Sequence, residues 1–277
     1  MSVSGAVLPR APAMRRLALL WKYRSLLANL VTRDLKLRYR NSAIGFAWSL
    51  LNPLLMMVVF TVVFTVLLHS APSDVPYPPF LLTAILAWNY FQISVVAGVT
   101  SVVGSAGLVT KVYFPREILP ISSVLVNAIN FILALLILVP VVFAYGIGLD
   151  ATWLLFPVIL VSQTLFTLGI AFAVSGLHVY FRDTGYIVDV LLLAWFFLTP
   201  IFYDIRQVFA PEYGLDAPAL VLLLNPMAAF VTEYRAIFLT HTPDPIMLVR
   251  GLVIGMAVCV LGYVGFVRMS RAFGDVL

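Results

Sequence analysis

The chain is 277 residues long, 62% hydrophobic and only 10% charged, with a formal net charge of +5. An ordinary soluble domain is roughly 45–50% apolar and about 25% charged, and a water-soluble fold of this size could not hide so much apolar surface. A soluble enzyme, a disulfide scaffold (Cys259 stands alone) and a disordered tail are excluded, and the chain reads as an all-α integral membrane protein.

Residues 1–19 read as a basic cytoplasmic tail and 20–43 as an interfacial amphipathic helix. Lys22, Ser25, Asn29, Arg33, Lys36 and Arg40 recur at helical spacing, while Leu20, Tyr23, Leu27, Leu30 and Val31 cluster on the opposite side. A helix of this kind lies in the plane of the inner leaflet, its basic stripe toward lipid headgroups and cytosol. Asp34 and Arg38 fall on the apolar side four residues apart, so they either neutralise each other or line an entrance for an anionic substrate. The basic stripe abuts a membrane span, which argues against nucleic acid as its partner.

Apolar runs then follow at 44–69, 80–105, 118–146, 152–179, 187–203 and 248–267, giving six spans within a single membrane domain over 44–277. Each run is read against the roughly 20 residues that a spanning helix needs. Nine of the 17 Lys and Arg precede the first run, which places that end in the cytoplasm. Loop 70–79 and the turn at Asp150 carry no basic residue and read as outside; Lys111 with Arg116, Arg182, and Arg268 with Arg271 mark inside connections. Both termini are then cytoplasmic and the number of spans is even. This parity sets the reading of 204–247: a span over 219–240 would carry Arg268 and Arg271 to the wrong side, and Asn225-Pro226, Glu233 and Arg235 suit lipid poorly. The segment is expected to form an external element that dips back into the outer leaflet, where broken backbone survives only against protein or a wet cavity.

Two inside turns stand out. Lys111, Tyr113, Phe114, Pro115, Arg116 and Glu117 combine aromatic anchors, mixed charge and a proline suited to opening a helix. Tyr180, Phe181, Arg182 and Asp183 repeat the recipe. Either turn reads as a docking surface for a partner protein, or as ordinary aromatic anchoring at the membrane boundary. No G-x-x-x-x-G-K-[ST] phosphate loop occurs, so the chain does not hold ATP in that way. His69, His178 and His241 fall at outer, inner and outer positions and form no metal cluster. Intramembrane charge is sparse, which weighs against an ion-coupled carrier; the absence of convergent acids or metal ligands weighs against a membrane-embedded glycan or acyl transferase.

The stretch Arg33 to Ser42 (RDLKLRYRNS), followed by Gly45, Trp48 and Asn52-Pro53-Leu54, resembles the approach to the first span of ABC-2-type permeases. More narrowly, it is similar to those that export O-antigen, teichoic acid and related polysaccharides. Trp88-Asn89-Tyr90-Phe91, KVYFPREILP at 111–120, Tyr180 to Thr184, Thr199-Pro200-Ile201-Phe202-Tyr203, and Asn225-Pro226 with Glu233 and Arg235 extend the resemblance from about residue 20 onward. It implies a homodimer working with two copies of a separate ABC ATPase that carries ATP and Mg²⁺, so that this chain binds no cofactor. It further implies a bacterial plasma-membrane location, a lipid-linked polysaccharide as substrate, inside turns that act as ATPase-coupling helices, and an external segment that acts as a gate built on Asn225, Pro226, Glu233 and Arg235. An ABC-2-type lipid or drug exporter is the alternative within the same class.

A sugar polymer needs flat, weakly holding surfaces along its path. Trp88, Tyr90 and Phe91 on the second span and Trp195, Phe196, Phe197, Phe202 and Tyr203 at the fifth are the candidate aromatics, with Phe202 and Tyr203 first because they end a span at a proline break. Entrance candidates are Arg33, Asp34, Lys36, Arg38 and Arg40. Glu233 and Arg235, two apart, cannot face each other on one helix; they pair across a dimer axis or with Arg250, or lie exposed outside.

Overall fold

A computed structural model describes residues 19, 21–39, 47–69, 75–111, 114–205 and 217–276. Among them every regular element is a helix. Helix α1 covers Arg24–Tyr39; Leu30 is buried on one side of it while Lys22, Ser25, Asn29, Arg33 and Lys36 are exposed on the other. Helix α2, Ala47–Thr61, continues as a wider π turn over Val62–Leu67. Helix α3, Tyr77–Ser101, opens with prolines in its first turn, where missing backbone donors cost nothing. A short α4, Ala106–Lys111, leads to α5, Ile118–Ala144. Asp150 accepts from the Thr152 amide at 2.9 Å and caps the turn that starts α6, Phe156–Tyr180.

Helix α3 is the hub. From Phe80 to Trp88 every side chain is buried, and its apolar residues face α2, α5, α6 and the later helix Pro226–Arg235 alike. A helix that is apolar all round is one enclosed by other helices. The closest packing lies between α6 and the last span, α10 (Pro245–Met269). Gly169, Gly255 and Gly262 let the two backbones touch: a Cβ on any of them would collide with main-chain atoms of the facing helix. By contrast α2 and α10 turn most of their apolar surface outward, only 6% and 17% of their most apolar windows being buried.

Among the described residues, five helices are long and apolar enough to cross a membrane: Leu50–Leu67, Tyr77–Ser101, Ile118–Ala144, Ala151–Tyr180 and Pro245–Ala272. The run expected over 187–203 takes a different form. Helix α7 runs from Thr184 to Leu198, 15 residues, or about 22 Å, short of the roughly 30 Å hydrocarbon core. It stops because Pro200 pushes Thr199 into extended backbone (φ −92°, ψ 135°), so Thr199 to Tyr203 lie beyond the helix.

Among the described residues between α7 and α10 are two short helices, α8 (Ala217–Leu224) and α9 (Pro226–Arg235), the second widening into a π turn over Ala236–Thr240. They meet at Asn225, whose side-chain oxygen accepts from the amides of Met227 and Ala228 at 3.1 and 3.2 Å, an N-cap with Pro226 in the favoured first position. Met227 to Leu239 is buried almost throughout, so this broken backbone rests on protein. After Met269 the chain makes one tight turn and a last short helix, α11 (Phe273–Val276).

Candidate functional site

The two aromatic turns are built differently. Phe114 is only 6% exposed and sits in a cluster with Leu30, Val109, Ile118, Phe172 and Phe273. The expectation that it is presented to a partner is therefore corrected: it anchors its turn to the chain's own inner core. Pro115 and Arg116 are half-buried and Glu117 is buried. Lys111 ends α4, and Tyr113 lies outside the described residues. In the second turn, Phe181 is 65% exposed, Arg182 and Asp183 are exposed, and Tyr186 just beyond is 78% exposed. The Thr184 hydroxyl donates to the Phe181 carbonyl at 2.6 Å and fixes that turn.

The C-terminal segment ties the two turns together. The Arg116 guanidinium donates to the Ser270 carbonyl and lies 5.7 Å from the centre of the Phe273 ring. The Tyr180 hydroxyl donates to the Met269 carbonyl at 2.6 Å, and its ring centre is 6.0 Å from that of Phe273. Phe273, fully buried, is thus shared by both turns. Sequence reading passed over Phe273 and Tyr186; an aromatic residue beside the basic Arg271 in a tail after the last span was the available signal for the first.

At the entrance, the expected Asp34–Arg38 pair is replaced by two other contacts. Asp34 pairs with its neighbour Arg33 at 2.8 Å, and Arg38 donates to the Asn127 side chain at 2.8 Å. Asn127 sits nine residues into α5, so the Arg38 contact clips α1 to that helix. Lys36 is exposed, and Arg40 lies outside the described residues.

The aromatic candidates divide sharply. Trp88, Tyr90 and Phe91 are buried inside the chain because α3 is enclosed on all sides. The Trp88 indole donates to Gln92 and the Tyr90 hydroxyl to Thr164, both at 2.9 Å. Phe202 is buried as well, its ring stacked on Phe64 of the α2 π turn with centres 5.3 Å apart. These four serve as core in this arrangement, which corrects the expectation that they line a path. Phe196 and Tyr203 keep partial exposure and Phe197 is open.

The α8–α9 pair is held by an unusual cation. Arg235 is buried, donates to the carbonyls of Phe80 (3.1 Å), Pro200 (2.6 Å) and Ile201 (2.7 Å), and lies 3.4 Å from the centre of the Phe80 ring. Burial pushes its pKa down to about 9, against the opposing charges of Asp204, Tyr77 and Tyr203. Asn225 adds a second hold. Its side-chain oxygen accepts from the Trp195 indole at 2.7 Å, and its amide donates to the Leu198 carbonyl and the Thr199 hydroxyl at 3.2 Å each. Glu233 is buried and accepts from the Asp244 amide at 3.4 Å; burial pushes its carboxyl up to about 7, and the Asp244 charge adds to the rise. Exposure and pairing with Arg250 are both corrected: Arg250 donates to the Leu222 carbonyl at 2.8 Å. A side chain that can saturate three carbonyls was the better solution at a break where helical hydrogen bonding stops. Among the described residues no group of His, Cys, Asp and Glu is placed to hold a metal ion.

A helical bundle with an enclosed α3, a proline-terminated α7 and a folded-back pair α8–α9 is the arrangement among the described residues, and a family model described as ABC-2 type transporter matches residues 25–239 of the chain. The chain belongs to the ABC-2 type transporter family. It is similar to an O-antigen export system permease protein, RfbA, of Myxococcus xanthus, with 40% identity over 228 residues, 81% of this chain and 85% of the relative. RfbA of Klebsiella pneumoniae is 27% identical over 253 residues, 91% of this chain and 95% of that protein. The polysialic acid transport protein KpsM of Escherichia coli is 21% identical over 213 residues, 74% of this chain and 78% of that one. As an ABC-2 type member the chain is a multi-pass membrane transport subunit and not an enzyme.

Proposed function

We propose that this chain is the membrane subunit of an ATP-driven exporter that moves a lipid-linked cell-surface polysaccharide, such as O-antigen, from the cytoplasmic to the outer side of a bacterial plasma membrane. The 40% identity to an O-antigen export permease across 81% of the chain carries this reading. Two copies of the chain and two copies of an ABC ATPase make up the transporter, with ATP and Mg²⁺ held on the ATPase. All six apolar helices cross the membrane, α7 as a short span, which leaves both termini in the cytoplasm, as the Lys and Arg distribution favours. The exposed Phe181, Arg182, Asp183 and Tyr186 meet the ATPase, while Phe114 and Arg116 support that surface through the shared Phe273. The basic face of α1 lies at the inner leaflet, and α8 with α9 forms the outer gate. Weak, repeated contacts with the partly open rings of Phe196, Phe197 and Tyr203 suit a sliding polymer better than a tight pocket does.

Disrupting the gene in its native bacterium tests the reading. Lipid-linked glycan is expected to accumulate on the cytoplasmic side while surface polysaccharide disappears, and the intact gene restores it. A disrupted strain with normal surface glycan refutes the proposal.

A further inference from the structure

Helix α7 joins the cytoplasmic turn to the external element directly, and its attachments are uneven. Along its length it buries a single stripe, Thr184, Val188 and Leu192, one residue per turn. Tyr186, Ile187, Asp189, Val190, Leu191 and Leu193 face away from the chain. At its outer end the Trp195 ring rests edge-on against Phe91 and Phe166, with centres 5.2 and 6.0 Å away. Ring contacts of this kind tolerate sliding, whereas hydrogen bonds fix a direction. The directional bonds at this end run to Asn225 and Arg235: from the Trp195 indole to the Asn225 oxygen, from the Asn225 amide to Leu198 and Thr199, and from Arg235 to Pro200 and Ile201. Asn225 is at the same time the N-cap of α9. One side chain thus closes the end of α7 and opens the start of α9.

We infer that Asn225 is the joint through which movement of α7 reaches the start of α9 and so the outer helices. Arg235 holds the same end of α7 but also donates to the Phe80 carbonyl, and Tyr234 donates to Gln163, so the rest of α9 stays tied to α3 and α6 and the Asn225 contact is where α7 acts on it. Asn225 and Arg235 are positioning residues, and the inference rests on the proposed export function in assigning what the joint moves.

Asn225→Asp separates the joint from the fold. Aspartate caps a helix as well as asparagine does, and it still accepts from Trp195, Met227 and Ala228. It loses both donors to α7 and turns a carboxylate oxygen toward the Leu198 carbonyl. Trp195→Phe removes the remaining bond and keeps the ring contacts. With the ATPase subunit reconstituted alongside, Asn225→Asp is expected to assemble and hydrolyse ATP within about twofold of wild type, while glycan moved per ATP falls about thirtyfold, the worth of the two ordinary hydrogen bonds lost. Trp195→Phe falls less, and the double variant falls less than the product of the two, as expected of one network. Equal losses of hydrolysis and export, or an unchanged ratio in Asn225→Asp, overturn the joint. A readout free of substrate completes the test: trapping the ATPase with vanadate is expected to change amide exchange in both α7 and Met227–Leu239 of wild type, but in α7 alone in Asn225→Asp. Equal changes in both segments of the variant overturn the inference. A wild-type complex that moves no glycan counts against the export function and leaves this exchange comparison to decide the joint.

Discussion

Arg235 and Glu233 show how two residues at neighbouring positions acquire opposite roles. Arg235 supplies the donors that the Pro200 and Ile201 carbonyls lack at the break and adds a bond to the Phe80 carbonyl in the first turn of α3, so Arg235→Met leaves two buried carbonyls without a donor. A loss of at least about 3 kcal/mol is expected, read as a lowered midpoint in thermal unfolding of the detergent-purified chain. Arg235→Lys loses less, because an ammonium keeps the charge without the fork that spans three acceptors. Glu233 carries a pH dependence of definite sign. Its folded carboxyl holds a proton up to about pH 7 against an ordinary value of 4.5. Folding therefore takes up a proton within that window, and stability falls as pH rises through it. Unfolding midpoints measured between pH 4.5 and 8 should show this slope in wild type and lose it in Glu233→Gln. A slope unchanged in the variant contradicts the assignment.

Among the elements, packing decides what residue type alone does not. The close α6–α10 contact rests on Gly169, Gly255 and Gly262, so Gly262→Leu is expected to abolish accumulation of folded protein, whereas Gly107→Ala in α4, with nothing within 4 Å of its added carbon, is expected to be neutral or to gain up to about 1 kcal/mol. Span positions, the α1 stripe and the break before Pro200 were legible from hydropathy, helical spacing and proline. The direction each aromatic faces was not. Trp88, Tyr90 and Phe91 look like any interfacial aromatic set in sequence, and only the enclosure of α3 by its neighbours turns them inward. Phe114 and Phe181 occupy similar charged, aromatic turns, yet Phe273, more than 90 residues further on than either, folds back and buries the first alone. The Arg38–Asn127 contact was hidden for the same reason, since no local spacing reports a partner 89 residues away. At the coupling surface the prediction follows exposure: Phe181→Ala and Tyr186→Ala together should weaken capture of the ATPase about tenfold or more, as loss of two interface aromatics does. Capture at wild-type strength would contradict that surface.

For the molecule as a whole, the buried hub of α3 and the outward apolar faces of α2, α7 and α10 describe a chain with a firm centre and a broad apolar surface turned outward. The scarce charge lies exposed or ties one element to another, at α1, at the turns around Arg116 and Arg182, and at Arg235. Export driven by a separate ATPase is the claim that joins these features. It is tested most directly in proteoliposomes holding this chain and its ATPase, with labelled lipid-linked glycan on the nucleotide-accessible side. The expected result is glycan translocation that requires ATP and both chains and that stops when either is left out. ATP hydrolysis that moves phospholipid but leaves the glycan in place, or glycan movement without ATP, would contradict it.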